Sequence, residues 1–238
     1  MSTTIRTFTE LHEAVSANFD KANTLYRGVK HKEYSLVPRI GREEPFRTNK
    51  AGKEHNLYYA ERKVFDLFKG QARERLTLQP ENDWEWLALA SHHGLATRLL
   101  DWTWNPLVAA FFAVEDAIDI SVVSKNRYCG DSAIYIYESP EGFIDTTGNK
   151  YPFKYKYVGK FRPPYVTRRI ESQVAVFTIH PRPLKEFKTK TVTQLIIPDE
   201  ARKGIKQALH RYGIHRSFIF PDLDGLASHL NWLKFKKY

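Results

Sequence analysis

The fold is decided by residues 92–113, which read HHGLATRLLDWTWNPLVAAFFA. On the N-terminal side of this stretch, apolar residues from Trp84 onward are spaced as on a helix that ends at Gly94, the expected left-handed cap. On the C-terminal side, Asn105 and Pro106 have the residue types of an N-cap and a first helical position. The turn between these helices contains histidine, arginine, aspartate, threonine and tryptophan. Since a purely structural turn rarely needs all of these, we expect a functional site here.

The predicted helix that begins at Pro106 has free backbone N–H groups and a positive dipole end in its first turn. We expect Asp101, Trp102 and Thr103 to form a loop in front of it, which makes this loop a candidate anion or ribose-phosphate site. His92 and His93 fall in the last turn of the preceding helix, where the dipole favours a proton on either ring. A favourable charge at a helix C-terminus explains one histidine equally well, so a structural role is also open.

The rest of the chain predicts one α+β domain over residues 1–238, because we find no repeat, low-complexity tract or flexible linker. Apolar spacing predicts further helices over 9–19, with a possible cap at Thr9, over 54–72, over 199–212 ending at Gly213, and after a cap at Asp222. Runs of β-branched and aromatic residues predict strands at 24–28, 133–138, 174–179, 193–197 and 216–220. We therefore expect helices mainly in the first half and a mixed or antiparallel sheet mainly in the second.

The chain is basic, with 37 Lys and Arg against 27 Asp and Glu and a formal charge of +10. This balance favours polyanions or phosphorylated ligands, although it also serves solubility. Much of the excess lies in residues 150–165, where bases alternate with aromatics. Such a composition is typical of a surface that stacks nucleobases and follows phosphates, but packing of an edge strand or loop gives a similar pattern.

Several classes of protein are disfavoured by the sequence. No apolar run approaches the roughly 18 to 20 residues of a membrane span, and the N-terminus lacks the pattern of a secretory signal. The single cysteine, Cys129, cannot form an internal disulfide, which fits a reducing compartment, so we expect a cytoplasmic protein without a membrane partner. The nine histidines have no cysteine pairs and no His-Glu-x-x-His arrangement, so no metal site is expected.

These segments together resemble the FRG domain family of bacteria and phages, from about residue 20 to 230. Tyr26-Arg27-Gly28 matches the Phe/Tyr-Arg-Gly motif for which the family is named. The central run 92–106 resembles the family's His-His-Gly-Leu-Pro-Thr-Arg-Leu-Leu-Asp-Trp-Thr-x-Asn-Pro, with Ala96 where proline is usual. Further similarity lies at 36–39, at 169–177, with Ala175 in place of glycine, and at 220–223.

The order of these parts is also similar to that of the ADP-ribosyltransferase superfamily. That resemblance implies an ADP-ribosyltransferase-like sheet, in which Arg27 holds a phosphate or ribose of NAD, with Tyr26 and Gly28 beside it. It places Thr103 in the hydroxyl segment and Trp102 near the nicotinamide. It also implies that Glu171-Ser172-Gln173 opens a late strand, with Gln173 where the superfamily has a glutamate that grips the ribose and stabilises the transition state.

The chemistry of such a transfer assigns roles to the remaining candidates. Cleavage of the nicotinamide–ribose bond builds positive charge on the ribose, so a nearby carboxylate or amide oxygen lowers the barrier and an arginine fixes the pyrophosphate. Glu171 or Asp101 would serve as general base, His93 as a further catalytic group, and His92 and Arg98 as cofactor contacts. The structural alternatives are an ion pair of Arg27 with Asp101 or Glu171, a Gln173 that satisfies a strand edge, and tryptophans that belong to the core.

The leading hypothesis is an NAD-dependent ADP-ribosyltransferase that modifies RNA, DNA or another cytosolic macromolecule, as a toxin or phage-defence effector, with NAD as substrate and no metal. An antitoxin or chaperone partner would fit such a protein. The alternatives are a non-catalytic nucleic-acid-binding module, in which Arg27 and Arg98 contact phosphates, and a metal-independent nuclease that uses His92 and His93.

Overall fold

The computed structural model describes residues 2–17, 23–43, 53–115, 130–148, 151–164 and 167–235. Within these ranges, seven strands form one mixed sheet. The strands are β1 (Ser2–Thr4), β2 (Thr24–Val29), β3 (Leu99–Thr103), β4 (Ser132–Glu138), β5 (Gly159–Phe161), β6 (Ala175–Ile179) and β7 (Val192–Ile197). The predicted α+β class is confirmed.

The strand order across the sheet is β1-β7-β4-β2-β3-β6-β5. β1 runs parallel to β7, and the remaining neighbours are antiparallel. β2, which includes Tyr26-Arg27-Gly28, therefore lies at the centre of the sheet between β4 and β3. This position places the motif where two halves of the sheet meet.

The helices are α1 (Phe8–Ser16), α2 (Arg39–Arg42), α3 (Lys53–Ala72), α4 (Asp83–His92), α5 (Pro106–Val114), α6 (Arg168–Ser172), α7 (Asp199–Arg211), α8 (Arg216–Ile219) and α9 (Leu223–Phe235). The predicted helix ends at Gly94 and Gly213 are confirmed, since both glycines have positive φ, 89° and 79°. Asn105 caps α5 by accepting from the backbone N–H of Leu107, as predicted. The cap of α1 is Thr7 instead of Thr9, and the predicted end of that helix at residue 19 lies outside the described residues.

Two sequence predictions of local structure were wrong. Residues 216–220 were expected as a strand, but Arg216–Ile219 is the short helix α8, because an apolar run of this length fits either period. Asp101-Trp102-Thr103 was expected as a loop, but it belongs to strand β3, which pairs along its whole length with β6. The polar residues of this segment therefore extend from a sheet and have fixed directions.

The sequence Tyr-Arg-Gly ends in glycine because α5 packs directly on β2. A Cβ atom at Gly28 would collide with the carbonyl oxygen of Ala109 and approach the backbone nitrogen of Ala113. Both atoms belong to α5 backbone, so neither can move aside as a flexible side chain would. Gly28 therefore sets how closely α5 approaches the centre of the sheet.

We predict that Gly28→Ala lowers the free energy of unfolding by at least about 2 kcal/mol, since overpacking against backbone typically costs about 1–3 kcal/mol or more. Urea unfolding followed by circular dichroism measures this. The matched control is Gly204→Ala, because Gly204 lies within α7 and a Cβ there would meet nothing within 4 Å. That control should be neutral or slightly stabilising, because alanine is the better helix former. Equal stability of the two variants would contradict the packing argument.

Candidate functional site

The central feature of the site is a fork between two neighbouring strands. β2 and β3 pair through Tyr26 and Thr103 and then diverge. Arg27 bridges the opening, because its Nη1 donates to the backbone carbonyl of Asp101 at 2.5 Å and lies 3.5 Å from the Asp101 carboxylate. The Arg27 side chain is 19% exposed and that of Asp101 is 49% exposed, so the pair lies at the boundary between core and solvent.

A cleft of about 220 Å³ occupies this fork. Its lining residues come from β2, α4, β3, α5 and the segment around α6. They are Tyr26, Arg27, Gly28, Ser91, His92, Asp101, Trp102, Thr103, Val108, Phe112, Arg169, Gln173 and Ala175. Asp101 is the one carboxylate among them, and the Ser91 hydroxyl donates to it at 3.2 Å.

The cleft brings together eight of the predicted site residues: Tyr26, Arg27, Gly28, His92, Asp101, Trp102, Thr103 and Gln173. Three others, His93, Arg98 and Glu171, are not among the lining residues. The segments that were grouped on the resemblance therefore meet at one cleft. The contacts predicted for His93, Arg98 and Glu171 are not part of it.

Thr103 and Gln173 are joined by a buried hydrogen bond in the cleft wall. The Thr103 hydroxyl donates to the backbone carbonyl of Gln173 at 2.6 Å and accepts from the backbone N–H of Asn105 at 3.0 Å. The Gln173 side-chain amide donates to the carbonyl of Ile219 at 3.1 Å. Because these groups are already satisfied, their placement favours positioning of the wall over direct chemistry.

Glu171 does not open a strand as the resemblance implied. It lies in α6, which Thr167 caps by accepting from the backbone N–H of Ile170, and its side chain is exposed. The following strand, β6, begins only at Ala175, after Val174 with a φ of 47°. The prediction of a Glu-Ser-Gln strand opening was therefore wrong, because a capped helical turn precedes the strand.

Trp102 contributes to the cleft wall, but its indole belongs to the core. The ring is 3% exposed and lies 5.4 Å from the ring of Tyr137. Its Nε1 donates to the Thr178 hydroxyl at 2.9 Å. These contacts favour the structural alternative for Trp102 over stacking against a ligand.

Arg98 is held in a buried ion pair away from the cleft. Its backbone N–H and guanidinium donate to both carboxylate oxygens of Glu61 at 2.7 to 2.9 Å, and its guanidinium lies 4.9 Å from the ring centre of Phe153. Both side chains are almost wholly buried. Arg98 is therefore part of a buried ion pair in the core and is not placed to contact a cofactor in the cleft.

The expectation that the helix dipole favours protonated His92 and His93 was wrong. Burial, together with the charges of Arg169 and His93, lowers the pKa of His92 to about 3. Burial and Arg169 also lower the pKa of His93, while Asp222 acts in the opposite direction. Desolvation and a nearby cation outweigh the partial charge of the helix end, so both rings are neutral near pH 7.

Two arginines at the site were not predicted from the sequence. Arg169 lines the cleft, and its guanidinium lies 4.4 Å from the ring centre of Phe220. Arg42 in α2 is close enough to Arg27 and Asp101 for their charges to act on it, and burial lowers its pKa. The available signal was that both arginines fall in or next to segments with FRG-like sequence, at 36–39 and 169–177.

A second cavity of about 180 Å³ lies beside α8 and α9. Three histidine rings cluster there: those of His215 and His229 stack at 4.2 Å, and the His210 ring lies 5.6 Å from His215 and 5.3 Å from His229. This cluster could not be predicted from the sequence, because the three residues come from separate helices and their linker. Within the described residues, no group of three or more His, Cys, Asp or Glu side chains is arranged to hold a metal ion.

The basic and aromatic stretch 150–165 is only partly a surface. Phe153, Lys160 and Phe161 are buried, and residues 159–161 form β5 at the edge of the sheet. Tyr151 and Tyr157 are exposed, while residues 150 and 165 lie outside the described ranges. Edge-strand packing, the alternative interpretation, therefore accounts for much of the pattern.

The fold and site together define an α+β domain with a cationic cleft in a fork of its central sheet. The family model of the FRG domain matches residues 22–120, which confirms the FRG resemblance drawn from the Tyr-Arg-Gly and central motifs. No curated protein and no solved structure matches the chain. None of the described helices combines the length and apolar character that crossing a membrane requires.

We predict that Arg98→Met lowers the free energy of unfolding by about 3–5 kcal/mol, because it leaves the Glu61 carboxylate buried without its partner. The double variant Arg98→Met with Glu61→Gln should lose less than the sum of the two single variants. Urea unfolding of all four proteins measures the coupling. An Arg98→Met protein as stable as the parent would instead point to a surface role for Arg98.

We predict that the protein loses stability as the pH falls from about 6.5 towards 3, the range between the ordinary and the lowered pKa of His92. In this range the unfolded chain binds a proton that the folded chain excludes. His92 alone then contributes about 1.4 kcal/mol per pH unit, or about 2 kcal/mol between pH 7 and pH 5. Urea unfolding at pH 7 and at pH 5 measures the loss of unfolding free energy between them. In His92→Gln this loss should be smaller by about 2 kcal/mol. The control, His12→Gln at the exposed surface of α1, should keep the parental pH dependence.

Proposed function

We propose that this chain is an NAD-dependent ADP-ribosyltransferase that modifies a nucleic acid or another macromolecule, as a toxin or phage-defence effector. The observation that carries the proposal is the convergence of Arg27, Asp101 and Gln173 on one cleft. These residues come from three distant parts of the chain, and their strands or flanking segments are neighbours in the order β2-β3-β6. Arg27 and Gln173 are positions that the superfamily resemblance groups around NAD, and Asp101 is the general-base candidate beside them.

The charges of the cleft support a ligand with phosphate groups. Arg27 and Arg169 line it, Arg42 lies within the range of their common neighbour Asp101, and both histidines are neutral. Arginine is suited to phosphate because its planar fork donates two hydrogen bonds to adjacent oxygens. Arg27 is already oriented by the Asp101 carbonyl, so it needs little further ordering to bind.

Asp101 is the best candidate for the reacting carboxylate. It is half exposed and reaches into the cleft, whereas Glu171 is exposed on α6 and is not among the lining residues. In the proposed reaction the bond between the nicotinamide nitrogen and C1′ of the ribose breaks, and nicotinamide leaves with the electron pair. Asp101 stabilises the positive charge on the ribose and takes the proton of the acceptor group as the new bond to C1′ forms.

The size of the cleft suggests how a dinucleotide would lie in it. A volume of about 220 Å³ is below the roughly 300–1,000 Å³ of pockets that enclose drug-sized ligands. We therefore expect the cleft to enclose only part of NAD, with the remainder along the rim near Arg42.

The formal charge of +10 supports a nucleic acid as acceptor, since clustered cations raise the local concentration of polyanions. The exposed Tyr151 and Tyr157 could stack nucleobases beside these charges. A protein acceptor has no comparable feature in its favour among the described residues.

We predict that the full chain transfers label from adenylate-labelled NAD to RNA, DNA or a lysate component. Arg27→Ala should reduce transfer by about 10- to 100-fold, since hydrogen bonds to charged groups are worth about 1.5–3 kcal/mol. The control Arg73→Ala removes one exposed arginine outside the cleft and should transfer at the parental rate. Oligonucleotide affinity, measured by fluorescence anisotropy, should be nearly equal in the two variants.

Other outcomes identify the alternatives. Absence of transfer, combined with weaker oligonucleotide binding by Arg27→Ala, would indicate a non-catalytic nucleic-acid-binding module. RNA degradation without NAD would indicate the nuclease based on His92 and His93. Either result would overturn the transferase proposal.

A further inference from the structure

Two buried nitrogen atoms at the cleft have no hydrogen-bond partner within the described residues. They are Nε2 of His92 and Nε of Arg169, and both residues line the cleft. The His92 side chain is more than nine-tenths buried. Leaving a buried polar group unsatisfied costs about 1–3 kcal/mol, so such groups are uncommon and call for an explanation.

The two side chains are held by independent elements. His92 occupies the last turn of α4, and Arg169 lies in α6, about 75 residues further along the chain. The Arg169 guanidinium rests on the Phe220 ring at 4.4 Å, which fixes its plane and limits its freedom. The two side chains therefore come from elements that are distant in sequence, and both line the same cleft.

The charge balance around Arg169 favours an anion. Among the described residues no carboxylate is within ion-pair distance of Arg169, and Asp222 and Asp101 act on it only at longer range. Asp101 is already paired with Arg27, the other arginine that lines the cleft. The Arg169 charge is therefore not matched locally, and a bound anion would relieve this imbalance.

The neutral state of His92 restricts the kind of anion. Burial and Arg169 keep the pKa of its ring near 3, so at pH 7 the ring offers a hydrogen bond without a charge. An oxygen that accepts from both a guanidinium and a neutral imidazole fits this pair. A phosphoryl group has several such oxygens and can accept from Arg169 and His92 together.

We infer that His92 and Arg169 form a phosphate-binding point in the cleft, separate from the Arg27–Asp101 pair, for one phosphate of a nucleoside diphosphate group. The inference rests on the proposed function in taking that group to be the pyrophosphate of NAD. Arg27 bonds to Asp101, whose charge also acts on Arg169, and both arginines line the cleft, so they can contact neighbouring phosphates of one ligand. Arg169 and His92 are then ligand-binding residues, in addition to Arg27.

The test measures binding of inorganic pyrophosphate, ADP and a short single-stranded oligonucleotide to the full chain by isothermal titration calorimetry. Arg169→Gln and His92→Gln should each weaken pyrophosphate and ADP, Arg169→Gln by about 10- to 100-fold, the range expected for charged hydrogen bonds. The matched control is Arg168→Gln, which removes the same charge from the neighbouring, exposed position of α6 and should change affinity less than about 2-fold. Thermal unfolding of each variant identifies any loss of affinity that comes from misfolding.

The outcomes separate this inference from the proposed transferase activity. Weaker ADP binding by both Arg169→Gln and His92→Gln supports the phosphate-binding point even if no label is transferred from NAD. Label transfer by a protein whose Arg169→Gln variant binds pyrophosphate and ADP normally would overturn the phosphate point and leave the transferase. The inference would also be overturned if the variants lost only oligonucleotide binding. Equal losses of ADP affinity in Arg168→Gln and Arg169→Gln would overturn it as well.

Discussion

The site depends on the separation of β2 from β3 after their single pairing of Tyr26 with Thr103. Two strands that diverge expose backbone groups that would otherwise pair, and buried backbone groups must be satisfied. Arg27 resolves this conflict by donating to the Asp101 carbonyl across the gap. The same guanidinium therefore satisfies the sheet and places a positive charge at the cleft. Arg27 therefore both bridges the opening between β2 and β3 and supplies the cation that lines it.

The other constraint on the fork is the contact between β2 and α5. Gly28 lets the backbone of α5 approach the strand just beyond Arg27, and Asn105, two residues after Thr103, caps that helix. Thr103 accepts from the Asn105 N–H and donates to Gln173, so the helix start, the strand end and the α6 segment are tied at one hydroxyl. The directions of the cleft side chains thus follow from backbone packing on several sides.

The sequence predicted what is decided locally. Gly94, Gly213 and the Asn105-Pro106 start are positions where one residue type nearly determines the backbone, and all three were correct. Strand β3 was missed because its pairing partner β6 begins about 70 residues later, and no local period reports that contact. Arg98 was assigned to the cofactor for the same reason, since the sequence cannot show that Glu61 lies against it. The direction of the histidine pKa shifts also depended on burial and on Arg169, which is distant in sequence.

The match to the FRG domain ends at residue 120, but residues beyond this point also line the cleft. Arg169, Gln173 and Ala175 form one of its walls, and all lie beyond the matched residues. That wall is held in turn by α8, because the Ile219 carbonyl accepts from both Ser172 and Gln173 and Phe220 supports Arg169. His215 and Arg216, at the other end of α8, line the histidine cavity. A single short helix and the residues that flank it thus contact both cavities. The N-terminal motifs supply one cation and one carboxylate to the cleft, and residues in the last third of the chain complete its lining.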